Sequence, residues 1–587
     1  MHRSHRHVHI VVAILTFVAF GCAQTARSLE KTPSVLSARD PGGIPPTGDV
    51  RGIDQRSYYA YTLSVLAELK GDVQEAIRWQ REALKYDPQS LYMQVNLASL
   101  YLKAGDFKAA IDIGEEIVAR EPDYLPAHLL LATAYRNLRN FRKAEHYYRQ
   151  VIRLDPAHGE AYQALGNLYI EARNFPEAIE IYKKLVEIEP GSHLVRYNLG
   201  RLYLEMKDQE EARRYFREAL SLEPDFEPAV IALASSFEGE GRYDEALQVY
   251  EEALKADPDR RELRERLAQL LFRQGNLDAA RREYETLLEQ EPGNTNLRLR
   301  VGFLYYEQQA YPEALATFQE ILNQEPSNKE ALYYLAVTLE EMKQFDRALE
   351  AFQKFVPQDA HYADALLHRG YIYGQKGMYQ EALDALSTAE KLKPGEASIP
   401  YLIGVVYMQR KEYGAAIKSL EKAVSLDKDN ANYYYQLGAA FERDHKIEQA
   451  EGAFRRVLEL NPKHADAYNY LGYMFAEAGI KLDESIALIK KALELDPDNG
   501  AFVDSLGWAY FKKGMLEEAL VELQRAVRLL KQPDPVVLEH LGDVYFQKGM
   551  IREAIQEWEK AVKLDPSNEG LLKKLRQAKE LISREGG

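Results

Sequence analysis

Apolar residues along the chain keep two rhythms at once. Within short windows they recur every three or four residues, the spacing of one face of an α-helix, and the whole pattern returns every 34 residues. Prolines stand at 88, 122, 156, 190, 224, 258, 292 and 326, each following Asp or Glu. With that proline set as position 32 of a repeat, Ala fills position 20 in twelve successive copies, from Ala76 to Ala450. After one-residue insertions the register runs on through Ser485, Ala519 and Ala554. Position 8 is Gly, Ala or Ser in all fifteen copies, from Ser64 to Gly542.

These columns predict paired antiparallel helices. Small residues at 8 and 20 let two helix axes approach to within about 8–10 Å. An aromatic at position 11, as in Tyr101, Tyr135 and Tyr169, lies one turn beyond a leucine at position 7, and aromatics at position 24, as in Tyr148, Tyr182 and Phe216, lie one turn beyond the alanine at 20. Proline at 32 lacks the donor needed to continue a helix and biases its predecessor away from helical angles. One repeat therefore reads as helix, short turn, helix, turn. A chain of such units is one continuous structure, because each unit buries its apolar faces chiefly on its neighbours.

Leu199, Gly200, Tyr203, Ala212, Phe216 and Pro224 fill positions 7, 8, 11, 20, 24 and 32 of one copy. That set resembles the signature of the tetratricopeptide-repeat family. The resemblance implies an all-α fold, a right-handed α-solenoid of about fifteen repeats over residues 54–566, with the first helix of each pair lining a concave face. Residues 567–587 carry Leu571, Leu575, Ala578 and Ile582 on one side and are expected to form a capping helix. The register falters where Ala360 and Lys428 replace the proline and where Pro357 arrives three residues early. Such faults fit either loop drift or a change of pitch near residues 355–365 that separates two arms.

The first 53 residues lack the repeat. Arg3 and Arg6 precede an uncharged run from Ile10 to Phe20, then Gly21 and Cys22, the only cysteine of the 587 residues. Eleven uncharged residues are too few to cross a ~30 Å hydrocarbon core as a helix, and the order of charged, apolar and small residues is that of a secretory signal. Ala19-Phe20-Gly21-Cys22 resembles the lipobox of bacterial lipoproteins, although Ala19 and Phe20 stand where that family prefers Leu and a small residue. The resemblance implies a signal peptide over 1–21, a lipid on Cys22 and, since Ala23 is not Asp, an outer-membrane lipoprotein facing the periplasm. The other reading is an ordinary signal cleaved after Ala23, giving a soluble periplasmic protein. Residues 22–53, with Pro and Gly throughout, read as a flexible tether.

Acidic residues outnumber basic ones, 91 to 75, for a formal charge of −16. With no basic patch, nucleic acid is excluded as a partner, and the only membrane attachment expected is the N-terminal lipid. The sequence holds no phosphate-binding loop, dinucleotide fingerprint, HExxH, GxSxG or CxxC, so no cofactor, small-molecule substrate or enzymatic activity is expected. DPDNG at 496–500 has the composition of a calcium loop, but Gly500 is fifth and Gly507 twelfth where that loop needs Gly sixth and Glu twelfth. His361 and His368 lack a third partner for a metal site.

Family geometry implies that positions 2, 5, 6, 9, 12 and 13 of the first helix face the groove. From repeat 8 onward aromatics gather there, and Tyr333, Tyr334, Tyr371, Tyr401, Tyr435, Tyr470, Tyr473 and Trp508 are the candidate partner-binding residues. At position 5, packing between helices is the competing role. One subclass of the family grips a terminal carboxylate with two Asn and several basic residues. Asn167 and Asn198 have that spacing, but Gln163, Pro228 and Ala232 occupy the basic places, so this clamp is predicted absent. Residues 468–520 are similar to outer-membrane repeat lipoproteins that act as adaptors for periplasmic C-terminal processing proteases. That likeness implies a non-catalytic scaffold that docks a protease and its cell-wall hydrolase substrates. The alternative is a platform for assembly or export of surface polysaccharide or pili.

Overall fold

The computed structural model describes residues 54–585. Within them lie 31 helices and no strand, arranged as fifteen hairpins followed by one terminal helix. First helices run 12–15 residues, and second helices run 14 except in repeat 9. The chain is an all-α solenoid of tetratricopeptide-type hairpins, as the sequence columns predict. Cys22, the signal segment and the tether lie outside the described residues.

Position 8 is small because position 24 packs onto it. A methyl group added to Gly200 would come within 2.5 Å of Phe216, one on Gly166 within 2.5 Å of Tyr182, and one on Gly542 within 2.4 Å of Trp558. Position 20 approaches the same column from the backbone side. Ser64 Oγ donates to the Ala76 carbonyl at 2.8 Å, and a methyl on Gly472 would meet the Ser485 carbonyl at 2.9 Å. Close-packed interiors do not absorb such volume without shifting side chains or backbone.

The turn inside each hairpin has one backbone solution. Residue 15 of all fifteen repeats is left-handed, from Gly71 at φ 81° to Gly549 at φ 77°. The next amide closes back onto the first helix, as Asp72 N does on the Ala67 carbonyl at 3.0 Å, the hydrogen-bond pattern of a Schellman C-cap. Eight copies use Gly at this position, while Arg139, Arg173, Lys207, Gln309, Lys343, Lys411 and His445 adopt it with a side chain. Asp72, Asp106, Asn140 and Asp208 then cap the second helix through their side chains.

The described residues divide into two compact units, 54–310 and 311–585. In the first, the core is a series of clusters, the largest of them around Phe216, Phe237, Tyr250 and Tyr284. In the second, the core is made of successive clusters around Phe454, Trp508 and Trp558. The boundary falls at Ala310/Tyr311, not at the fault near 355–365. That fault has its own structure. The second helix of repeat 9 stops after eight residues, Phe345–Phe352, ahead of Pro357. Phe355 turns inward, buried at 3% exposure, while Lys329 pins the segment through the Lys354 carbonyl at 2.8 Å and Asp359 at 2.9 Å.

Candidate protein-docking face

In several repeats of each unit the first helix touches the next first helix as well as the intervening second helix. The first helices therefore form a shared inner face, and its side chains follow a rule of one repeat plus one residue. Position 5 of one first helix meets position 6 of the next. In the 311–585 unit the Tyr333 hydroxyl lies 3.1 Å from His368 Nε2, the Tyr435 and Tyr470 rings meet edge-on at 5.9 Å, and His540 Nδ1 donates to Asp504 at 3.0 Å.

Packing onto neighbouring helices decides where the candidate aromatics go. Tyr333 is buried, 7% exposed, with His361 stacked on its ring at 4.5 Å. Tyr334 stacks on Phe318 at 5.7 Å, and Tyr401 leans on Tyr433 at 4.8 Å. Tyr435 stacks on His464 at 5.2 Å, while Tyr470 stacks on Phe454 at 4.9 Å and donates to Glu442 at 3.2 Å. Positions 3 to 6 are thus largely spent on joining helices, and the packing role raised for position 5 is the one Tyr333 fills.

Position 9 is different. Tyr371 and Tyr473 are half-buried, on the inner face but not enclosed by it. Burial pushes the Tyr473 phenol up to about 12, with the nearby Glu477 and Asp504 carboxylates adding to the shift, so it remains a neutral hydrogen-bond donor. Trp508, also at position 9, is 7% exposed and sandwiched between Phe511 at 5.0 Å and His540 at 3.9 Å. Its indole N–H donates to Glu477 at 2.7 Å. Phe511 and Phe546 at position 12 are half-buried and extend the same strip. Tyr371, Tyr473, Phe511 and Phe546 are thus the half-buried aromatics at positions 9 and 12 of this face, and the enclosed Trp508 stacks on Phe511.

Two buried histidine–carboxylate pairs belong to this support. His368 Nδ1 donates to Glu340 at 2.9 Å, with both side chains under 10% exposed, and Phe352 lies flat against the imidazole at 5.0 Å. Burial works to lower the His368 pKa, but the charge and hydrogen bond of Glu340 outweigh it and the net shift is upward. His361, where burial dominates, is shifted downward. Nothing in the sequence alone pairs His540 with Asp504. Their spacing of 36 residues becomes a signal only once position 5 is known to meet position 6 across the seam.

Asn167 accepts a hydrogen bond from the Tyr182 hydroxyl at 2.8 Å, an intrarepeat contact rather than half of a carboxylate clamp. No group of three or more His, Cys, Asp or Glu side chains among the described residues could hold a metal ion. No described helix is long and apolar enough to cross a membrane.

Tetratricopeptide-repeat models match residues 69–132, 169–236, 238–300 and 305–369 in one form and 129–193, 435–500 and 481–537 in a second. Further matches cover 404–444 and 542–575, and 363–396. No curated protein matches the sequence. Among solved structures, MamA is 31% identical, with 27% of this chain and 93% of MamA covered at a TM-score of 0.26. Yeast Tom70 is 19% identical, with 73% and 96% covered at a TM-score of 0.34. A chain of the APC/C hetero-tetramer Cut9–Hcn1 is 17% identical, with 84% and 98% covered at a TM-score of 0.36. With family models matched along most of its length and the hairpin columns realised in the fold, the chain belongs to the tetratricopeptide-repeat family.

Proposed function

We propose that the protein is a non-catalytic scaffold that docks a partner protein along the inner face of repeats 9–15. The observation that carries this reading is the division of labour among the aromatics. Tyr333 and Trp508 are locked in the seam, while Tyr371, Tyr473, Phe511 and Phe546 keep part of their surface open. Large side chains held in place by their neighbours bind with little loss of side-chain entropy, and buried aromatics dominate the energetics of such interfaces. The partner is a protein segment with apolar side chains and hydrogen-bond acceptors, the latter to meet the neutral Tyr473 hydroxyl.

We further infer that the scaffold is held at the bacterial outer membrane by a lipid on Cys22, facing the periplasm. A periplasmic processing protease with its cell-wall hydrolase substrates is the leading pathway. The support is the lipobox-like run before Cys22 and the likeness of residues 468–520 to adaptor lipoproteins. Tyr371→Ala with Tyr473→Ala is expected to abolish capture of the partner from envelope extracts while leaving helicity intact. Unaltered capture contradicts the docking strip. Cys22→Ala is expected to move the protein from the membrane to the soluble fraction, and an unchanged distribution contradicts the lipid anchor. The captured protein assigns the pathway, a processing protease or a component of polysaccharide or pilus export.

A further inference from the structure

Two columns of the first helix form the surface by which each repeat sits on its predecessor. Positions 3 and 10, two turns apart, are no more than 9% exposed in every repeat from the second to the fifteenth and in the terminal helix. In repeat 2 these are Met93, whose carbonyl accepts from Gln80 of the preceding second helix at 3.0 Å, and Leu100, packed in one cluster with Ala76 and Ile77. Repeat 1 carries the same columns, but among the described residues none packs upon them. Tyr59 is 65% exposed and Leu66 46%, flanked by Tyr58 at 64% and Leu69 at 79%. Beside Tyr59 runs an open groove of about 510 Å³, floored by Ala60, Trp79 and Tyr86 and edged by Arg56, Arg78 and Glu82.

We propose that this face is a self-association surface, joined to the same face of a second copy about a two-fold axis. Two observations favour a second copy over other occupants. The groove carries both signs of charge, Arg56 and Arg78 against Glu82, so each edge can oppose its counterpart across a two-fold without like charges stacking, despite the chain's net charge of −16. The other terminus of the array cannot serve as the mate. There the terminal helix Glu569–Glu585 buries Leu571, Leu575 and Ala578 and turns Lys573, Arg576, Lys579 and Glu580 outward, so among its described side chains Leu581, 40% exposed, is the one exposed large apolar group and a head-to-tail mate would meet a mainly charged surface. An apolar face present at one end only of the described array, pairing with itself, gives a closed dimer rather than a filament.

The test uses the full chain bearing Cys22→Ala, so that no lipid contributes to association, in detergent-free buffer by sedimentation velocity and light scattering. A concentration-dependent species of twice 67.2 kDa is expected at micromolar protein. Tyr59→Lys with Leu66→Lys, both on exposed side chains, is expected to weaken the dimer by about thirtyfold or more with unchanged helicity. Amide exchange over Gln55–Leu69 should slow as concentration rises in the parent and not in the variant. A parent that stays monomeric across the micromolar range overturns the proposal, as does a dimer that the paired lysines leave unchanged.

Discussion

Glu265 and Arg300 stand at positions 5 and 6 of neighbouring first helices in the 54–310 unit, with their charged groups 3.9 Å apart. The same two positions in the 311–585 unit hold Tyr435 and Tyr470, or Asp504 and His540 buried beneath Trp508. At positions 12 and 13 the first unit continues with charge, pairing Lys103 with Glu68, Arg136 with Glu171 and Arg273 with Glu238. One backbone register thus accepts two chemistries. Ion pairs between exposed side chains contribute roughly 0–1 kcal/mol each and are screened by salt. Enclosed aromatic contacts exclude water and fix side-chain geometry, which is what a preorganised docking strip requires. On the proposed function, the docking strip belongs to the 311–585 unit alone.

Truncating the seam should separate the two units most sharply. Trp508→Ala is expected to destabilise the 311–585 unit by about 3–5 kcal/mol, since it removes a buried ring stacked on both sides. Arg136→Ala, which breaks a pair with side chains 37% and 40% exposed, should cost less than about 1 kcal/mol. Denaturant unfolding followed by amide exchange in each unit distinguishes them, and equal losses would erase the contrast.

A smaller effect is set by pH. Because the folded-state pKa of His368 is raised, its pairing with Glu340 stabilises fully below the unfolded value of about 6.5 and fades as pH rises through the folded value. His361 and His464, lowered by burial, act with the opposite sign. The informative quantity is therefore the stability difference between parent and His368→Gln. That difference should shrink as pH rises through the folded-state pKa of His368, and a constant or growing difference would contradict the pairing.

The smallest effect lies in the hairpin turns. Lys207→Gly relieves a left-handed residue at φ 61° and is expected to stabilise by roughly 0.5 kcal/mol, the steric relief being partly offset by the greater freedom of Gly in the unfolded chain. The same change at Arg139, which shares the geometry, should give a similar gain by thermal unfolding.

Much of the fold was legible because the repeat is an averaging device. Fifteen copies of Gly, Ala or Ser at position 8 name a close approach that a single glycine could not. The left-handed residue at position 15 was also present as recurring Gly71, Gly105 and Gly241, but copies carrying Arg or Lys hid the column. The candidate site was legible in part. Aromatic enrichment on the first helices from repeat 8 onward is a sequence fact, yet which rings are spent between helices depends on stacking offset. That offset sets position 5 against position 6 of the next repeat, so Tyr333 is enclosed while Tyr473 is not. A buried pair such as Asp504–His540 is invisible until that offset is known.

The central claim is that a partner protein lies along position 9 of the C-terminal first helices. A photo-crosslinking amino acid at Tyr473, compared in intact cells with one at Glu459, whose side chain is 65% exposed on a second helix, tests it most directly. One discrete crosslinked protein is expected from position 473 and none from 459. Equal crosslinking from both positions, or none from 473, would contradict it.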